Sequence, residues 1–322
     1  MSLRGTTGGA IPPHTGRQVV VTGATSGLGY EIALALAEGC ADVILAGRNE
    51  SRGRETAARL RTLAPRALIR FEKLDLADLD SIKAFAARLS AAGHPIDLLV
   101  NNAGVMALPE RKLTVDGFEM QLAVNYLGHF ALTARLMPLL CLGRAPRVVQ
   151  VSSLAHRFGK ISFDNLHGER RYRPWSAYFQ SKLAALLFAR ELQRRSDCHG
   201  WGLLASAAHP GWARTSLIAD GPGPASAVAA LSHSFARVLR QAAARGAQSA
   251  LFAAGPDAVK PGAFYGPGGL LEIAGRPAEA YVSRLARDRD LAARLWQVSE
   301  QLTGVAWPPQ PACGPARLRV RL

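Results

Sequence analysis

The sequence predicts an α/β fold: a doubly wound, seven-stranded, mostly parallel sheet with helices on both faces. Three observations predict it. Short apolar, β-branched runs alternate with helical patterns through most of the 322 residues. Strands separated by helices pair in parallel and are buried on both faces, and right-handed crossovers wind the sheet both ways. A glycine-rich turn follows the first run and opens the first helical pattern. Finally, no apolar run approaches 18 residues without a charge or a break, so the apolar segments build a core and no transmembrane helix is expected.

The first strand is read at 18–22, where three valines follow one another; β-branched side chains suit an extended backbone. Residues 28–38 follow as a helix, with apolar residues at helical spacing. The same logic gives strands at 42–46, 67–74, 97–101, 147–152, 201–208 and, briefly, 263–265. Helical patterns fill 50–63, 79–91, 115–140 and 177–195. Nothing resembling a linker divides the chain, so 17–307 reads as one domain. Residues 216–245 interrupt the alternation. A loop rich in Pro and Gly at 219–224 and an amphipathic stretch to about 244 read as a substrate lid over the carboxyl ends of the strands. Residues 1–16 read as a flexible leader, and 308–322 as a basic, Pro-rich tail.

Composition excludes several classes. The chain carries 39 basic and 24 acidic residues, a net charge of +15. The arginines are spread over many helical patterns, and no aromatic-rich basic motif accompanies them. A solvated basic surface is therefore expected, with no nucleic-acid partner. Four cysteines, Cys40, Cys141, Cys198 and Cys313, are widely scattered. No pair has metal-ligand spacing and the count does not suggest a disulfide scaffold, so no metal site is expected and the expected location is cytoplasmic.

Several constellations carry chemistry. In Thr22-Gly23-Ala24-Thr25-Ser26-Gly27-Leu28-Gly29 the glycines let the backbone turn tightly and approach a pyrophosphate. The helix that follows offers free N–H groups and a positive dipole end. After the second strand stands Ala46-Gly47-Arg48-Asn49, where a dinucleotide fold usually has an acid for the ribose 2′-hydroxyl. Arginine matches a 2′-phosphate instead, which points to NADP(H) in preference to NAD(H). Asp75-Leu76 is placed to touch the adenine, or Asp75 simply caps a helix. Asn101-Asn102-Ala103-Gly104 offers small residues where the cofactor would cross the sheet edge. Ser152 and Ser153 end the fifth strand, where a hydroxyl can hydrogen-bond a carbonyl oxygen; no Gly-x-Ser-x-Gly elbow surrounds them. Pro210, Gly211 and Trp212, with Thr215 just after, follow the sixth strand, and the glycine would let backbone pass close to a nicotinamide. Tyr178 and Lys182 are four residues apart, on one helix face. A cation beside a phenol favours the phenolate, so the pair would give Tyr178 a lowered pKa.

Jointly and in this order, the glycine turn, Asn101-Asn102-Ala103-Gly104 and Tyr178-x-x-x-Lys182 resemble the short-chain dehydrogenase/reductase family, in its tyrosine-dependent, single-domain branch. The stretch 117–130, Val151-Ser152-Ser153-Leu154-Ala155-His156 and His209-Pro210-Gly211 are similar to retinol dehydrogenase-like members. Tyr265-Gly266-Pro267-Gly268-Gly269-Leu270 resembles bacterial ketoreductases. The resemblance implies a Rossmann fold and an NADP(H)-dependent oxidoreductase. It would reduce a ketone or aldehyde, or oxidise the alcohol, on a bulky lipophilic substrate such as a polyketide- or retinoid-like carbonyl. Tyr178 would be the acid or base. Lys182 would tune it and hold the nicotinamide ribose. Ser153 would orient the carbonyl, with Ser152 as the fallback, and Asn125 would hold a water linking Lys182 to solvent. A homodimer or homotetramer is implied as well. The alternative is a cofactor-binding sensor or scaffold without turnover, which would be expected to lose part of the Ser–Tyr–Lys set that this chain keeps.

Overall fold

Strands β1 (Gln18–Thr22), β2 (Asp42–Gly47), β3 (Ile69–Lys73), β4 (Leu98–Asn101), β5 (Arg147–Val151), β6 (Leu204–Ala208), β7 (Phe264–Pro267) and β8 (Pro277–Glu279) form one sheet. The order is β3-β2-β1-β4-β5-β6-β7-β8. This computed structural model describes residues 14–211, 233–255 and 259–308, the side chains of 233–242 excepted. The first seven strands pair in parallel, and β8 adds to β7 in antiparallel register, Gly266 opposite Ala278. The sheet thus has eight strands where the sequence predicts seven. The extra one is a three-residue edge strand that begins with proline and carries two exposed residues. It is made by pairing to a neighbour, so no apolar run announces it.

Strands buried on both faces explain the continuous valines. Val20 and Ile44 point into one core layer, whereas Val19, Val21, Val43 and Leu45 point into the other. The first layer is closed by the helices Leu79–Ala92, Gly128–Cys141, Pro174–His199 and Arg289–Thr303. Trp296, Trp307, Phe130 and Phe188 meet there, the two indoles with centroids 4.4 Å apart. The second layer is closed by Gly27–Glu38, Glu50–Leu63 and the later part of His233–Ala254.

Three helices differ from expectation. The pattern read as one helix over 115–140 begins at Met120, because Glu119 turns its carboxylate back onto the Gln121 and Leu122 amides. It then passes through a π-helical segment, Ala123–Leu127, into Gly128–Cys141. Residues 233–245, expected in a lid, open the helix His233–Ala254, whose later residues pack on the sheet. The remainder of the expected lid, 216–232, lies outside the described residues. Arg289–Thr303 was not read as a helix, although Asp288 caps it and Gly304 ends it in a left-handed conformation.

Candidate active site

Strand order reverses between β1 and β4, whose neighbours lie on opposite sides. Chains leaving the carboxyl ends of two such strands diverge and open a crevice. Thr22 closes the bottom of it. Its Oγ1 accepts the Asn102 and Ala103 amides at 2.9 and 3.0 Å, while Asn102 Nδ2 donates to Thr22 O at 2.8 Å. Two loops that the sequence assigns to one ligand are therefore bonded to each other. The glycines fit this close approach. Gly23 has φ +64°, and a Cβ there would lie 2.9 Å from Ala103 Cα. A Cβ on Gly29 would lie 2.3 Å from Gly23 O. Gly27 also has positive φ, and Leu28 is turned into the core. Thr25 and Ser26 remain partly exposed; Ser26 is the extended cap residue of Gly27–Glu38, yet its hydroxyl bonds none of the helix amides. That helix end is left with its amide donors uncapped by a side chain.

Arg48 is exposed just past β2 and has no hydrogen-bond or ion-pair partner among the described residues. Asn49 beside it spends its side-chain oxygen on the Arg52 amide, capping Glu50–Leu63. Asp75 closes its own turn: the carboxylate accepts the Ala77 amide and its N–H donates to Ser81 Oγ, both at 2.9 Å. Asp78, not Asp75, caps the following helix. Leu76 is buried, and Gly128 packs so closely under it that a Cβ would lie 2.5 Å from the Leu76 carbonyl.

Tyr178, Ser153, Lys182 and Asn125 are brought together. The Tyr178 phenol lies beside Ser153, whose hydroxyl favours its ionised form. Ser153 Oγ also accepts the Ala155 amide. Its neighbour Ser152 is buried and donates to Lys182 O at 2.7 Å, so Ser152 anchors the helix and Ser153 faces the phenol. Lys182 Nζ is buried 5.9 Å from the Tyr178 ring centroid and donates to Val151 O at 3.3 Å. Asn125 sits in the π segment and is also fully buried. Its amide donates to Val105 O at 2.9 Å and to Ser181 Oγ at 2.8 Å, and its oxygen accepts the Val105 amide at 2.8 Å. Ser181 Oγ in turn donates to Tyr178 O. Gly104 lies between: a Cβ there would stand 3.0 Å from Asn125 Oδ1 and 3.4 Å from Lys182 Nζ. Ser181 is the member the sequence reading missed. Its signal was a serine between Tyr178 and Lys182, one helical turn on from Tyr178.

The electrostatics correct one expectation. Burial raises the Tyr178 pKa above the usual phenol value, and the neighbouring Ser153 hydroxyl only partly offsets it. Burial also pushes Lys182 down to about 8. Desolvation disfavours the charged form of both groups, so in the cofactor-free protein the phenol is held protonated. His129, buried beneath the site and bonded to Thr22 Oγ1 at 2.9 Å, is pushed down to about 3 and is neutral.

Beyond β6, His209 Nδ1 accepts the Gly211 amide at 3.1 Å. Gly211 needs its positive φ, and a Cβ there would collide with Ile273 O. Pro210 is partly exposed between them; Trp212 and Thr215 lie outside the described residues. Among the described residues no group of acids, histidines and cysteines could hold a metal. No helix among them is long and apolar enough to cross a membrane.

Residues 17–221 match the family model of the short chain dehydrogenases. The chain belongs to that family. Human retinol dehydrogenase 12 is 39 % identical over 294 residues, covering 91 % of this chain and 88 % of the relative. Zebrafish (Danio rerio) polyprenol dehydrogenase is 37 % identical over 299 residues, covering 92 % and 89 %. A crystal structure of an uncharacterised protein from Mycobacterium paratuberculosis is 42 % identical and superposes with a TM-score of 0.78, covering 92 % of this chain and 97 % of that one. A short chain dehydrogenase from Shigella flexneri, solved in complex with NADP, is 26 % identical with a TM-score of 0.59, covering 79 % and 98 %. With the family comes the reaction class, oxidoreduction between an alcohol and a carbonyl.

The buried ammonium makes a prediction about stability. A lysine held at about 8 when folded binds its proton less tightly than in the unfolded chain, where ~10.4 is usual. Below pH 8 both states are protonated and the folded one bears the full desolvation penalty, of order 3 kcal/mol. Between about pH 8 and 10.4 the folded state sheds its proton first and the penalty fades. Lys182→Met should therefore raise the denaturant midpoint at pH 7, and the gain over the parent should shrink as pH approaches 10. A midpoint unchanged or lowered at pH 7 would contradict this.

Proposed function

We propose that the protein is an NADP(H)-dependent oxidoreductase that interconverts a lipophilic ketone or aldehyde and its alcohol. The observation that carries this reading is the convergence of Ser153, Tyr178 and, one helical turn on, Lys182 beside the crevice at the switch point of the sheet. The crevice fits a dinucleotide: Gly23 and Gly29 let its two loops close on each other, and the first amides of Gly27–Glu38 are left uncapped by any side chain. The Gly27–Glu38 amides, with Thr25 and Ser26, would hold the pyrophosphate. Asn49, Asp75 and Leu76 would border the adenosine half, Asn102, Ala103 and Gly104 the middle, and Pro210, Gly211, Trp212 and Thr215 the nicotinamide end. A nicotinamide bound there would supply or accept the hydride at the carbonyl carbon.

Every other step belongs to the chain. Ser153 would hold the substrate oxygen beside the phenol. Tyr178, protonated by virtue of its burial, would give that oxygen its proton in reduction and take it back in oxidation. Lys182 would reprotonate or stabilise the phenolate. Asn125 would serve by holding the helix turn of Ser181 against the Val105 loop and by holding a water that links Lys182 to solvent. Arg48, exposed and without a partner among the described residues, is suited to a 2′-phosphate, and the NADP complex of the Shigella relative supports that choice. Exposed Trp175 stands beside Tyr178 with ring centroids 6.3 Å apart, and exposed Phe158 packs on the adjoining Phe179 at 5.6 Å. Those apolar faces, and relatives named for retinol and polyprenol, support a long isoprenoid-like alcohol or aldehyde.

Two measurements test this. Incubated with NADPH and a panel of lipophilic carbonyls, the protein should oxidise the cofactor. Tyr178→Phe should lower turnover at least a thousandfold while leaving NADPH affinity within a few-fold. Binding of NADPH without turnover by the parent chain would instead favour a sensor or scaffold. For the cofactor, NADPH should be preferred to NADH. Arg48→Ala should raise the KM for NADPH about tenfold or more, the worth of one charge-assisted contact, and leave that for NADH unchanged. Equal use of both cofactors by the parent chain would sink the Arg48 assignment.

A further inference from the structure

Two buried histidines and one carboxylate flank the site without taking part in the chemistry just proposed. Glu272 lies in a backbone that needs explaining: Leu271 and Glu272 have φ of 53° and 57°. Two consecutive non-glycine residues in the left-handed region cost on the order of 1–3 kcal/mol each and persist only where the surroundings hold them. What holds them is the Glu272 carboxylate, whose side chain is only 18 % exposed. Oε2 receives Arg157 Nη2 at 2.8 Å and His209 Nε2 at 3.1 Å. Oε1 receives the Tyr281 amide at 2.9 Å.

Each partner belongs to a different wall. Arg157 is in the short helix Leu154–Phe158, which Ser153 caps. In that same helix His156 Nδ1 lies 2.8 Å from Ser153 O, and its Nε2 accepts the Ser283 amide at 3.4 Å. Since Nε2 accepts, Nδ1 carries the proton and holds the Ser153 carbonyl. His209 is fixed in the opposite tautomer. Its Nδ1 accepts the Gly211 amide, so Nε2 carries the proton and donates to Glu272. Burial keeps both rings neutral, which is what such one-donor, one-acceptor roles require. Gly266 leaves room for this arrangement, because a Cβ there would lie 1.8 Å from His209 Nε2.

We propose that Glu272 is a positioning residue: one carboxylate clamps the Ser153 turn to the His209–Gly211 turn, and so sets the distance between the two walls of the site. The clamp is stated for the oxidoreductase reading above, but the coupling it requires is physical and exists whatever is turned over. Glutamine is a poor substitute. Its amide has one acceptor and one donor end, so either Arg157 or His209 would meet an N–H. If His209 responded by changing tautomer, Nδ1 would become a donor and lose the Gly211 amide.

Hydrogen exchange in the full chain tests the coupling without reference to activity. Arg157→Gln and Glu272→Gln should each speed exchange of the Gly211 amide at least tenfold, with β1 and β4 amides unchanged. Among the described residues no hydrogen bond joins Arg157 to Gly211, and the bonded route between them runs through Glu272 and His209. Unchanged Gly211 exchange in Arg157→Gln overturns the proposal. Turnover with NADPH tests what the clamp is for. Glu272→Gln should lower kcat about tenfold or more with little change in the KM for NADPH, and add little to Ser153→Ala in the double variant. Fully multiplicative losses would mean that Glu272 does not act through Ser153 and would overturn it too. If the parent chain turns nothing over, the oxidoreductase reading fails, and the exchange result decides the clamp alone.

Discussion

The site depends on one cation taken out of water. Lys182 lies wholly buried under the carboxyl ends of β4 and β5, with a single neutral oxygen, Val151 O, as its hydrogen-bond partner among the described residues. A buried ammonium without a counter-ion is costly, and the fold around it is arranged to hold it anyway. Ser152 fixes the Lys182 backbone, Asn125 and Ser181 fix the turn before it, and Gly104 leaves the space beside Nζ. Stability given up at such a point is the usual trade for a reactive group. In the proposed reaction the same desolvation keeps Tyr178 protonated and brings Lys182 within reach of physiological pH, a matched donor and relay.

Topology supplies the rest. The reversal of strand order between β1 and β4 opens a crevice directly beside β5, whose end carries Ser152 and Ser153. The helix Pro174–His199 crosses beneath and brings Tyr178 and Lys182 to that point from the other side of the chain. The π segment at Ala123–Leu127 falls where Asn125 must reach both the Val105 loop and Ser181; a local change of helical pitch is a common device for re-aiming one side chain at a functional site.

Much of this was legible in the sequence. Valine runs buried on both faces, glycine turns and a Tyr–Lys spacing report local constraints, and local constraints are what a sequence states plainly. Strands β1 and β2 and the helix Glu50–Leu63 lie within a residue of where their patterns put them. What was not legible depends on partners distant in the chain. Strand β8 exists only because β7 offers an edge. The capping role of Asp78 could not be told from that of Asp75 without seeing which carboxylate faces the helix. The direction of the Tyr178 shift was misread for the same reason. Spacing reveals that a lysine is near, but burial, which no spacing reveals, sets the direction of the shift. The helix Arg289–Thr303 was an avoidable miss, since Asp288 and Gly304 are ordinary start and stop signals.

The central claim is that the site is built around a desolvated, weakly partnered ammonium. The direct measurement is an NMR titration of the Lys182 Nζ in isotope-labelled, cofactor-free protein, its resonance assigned by its loss in Lys182→Met. A midpoint near 8 is expected, as burial dictates. A midpoint at the ordinary lysine value of ~10.4 would mean that water or a counter-ion reaches the ammonium, and would contradict the account.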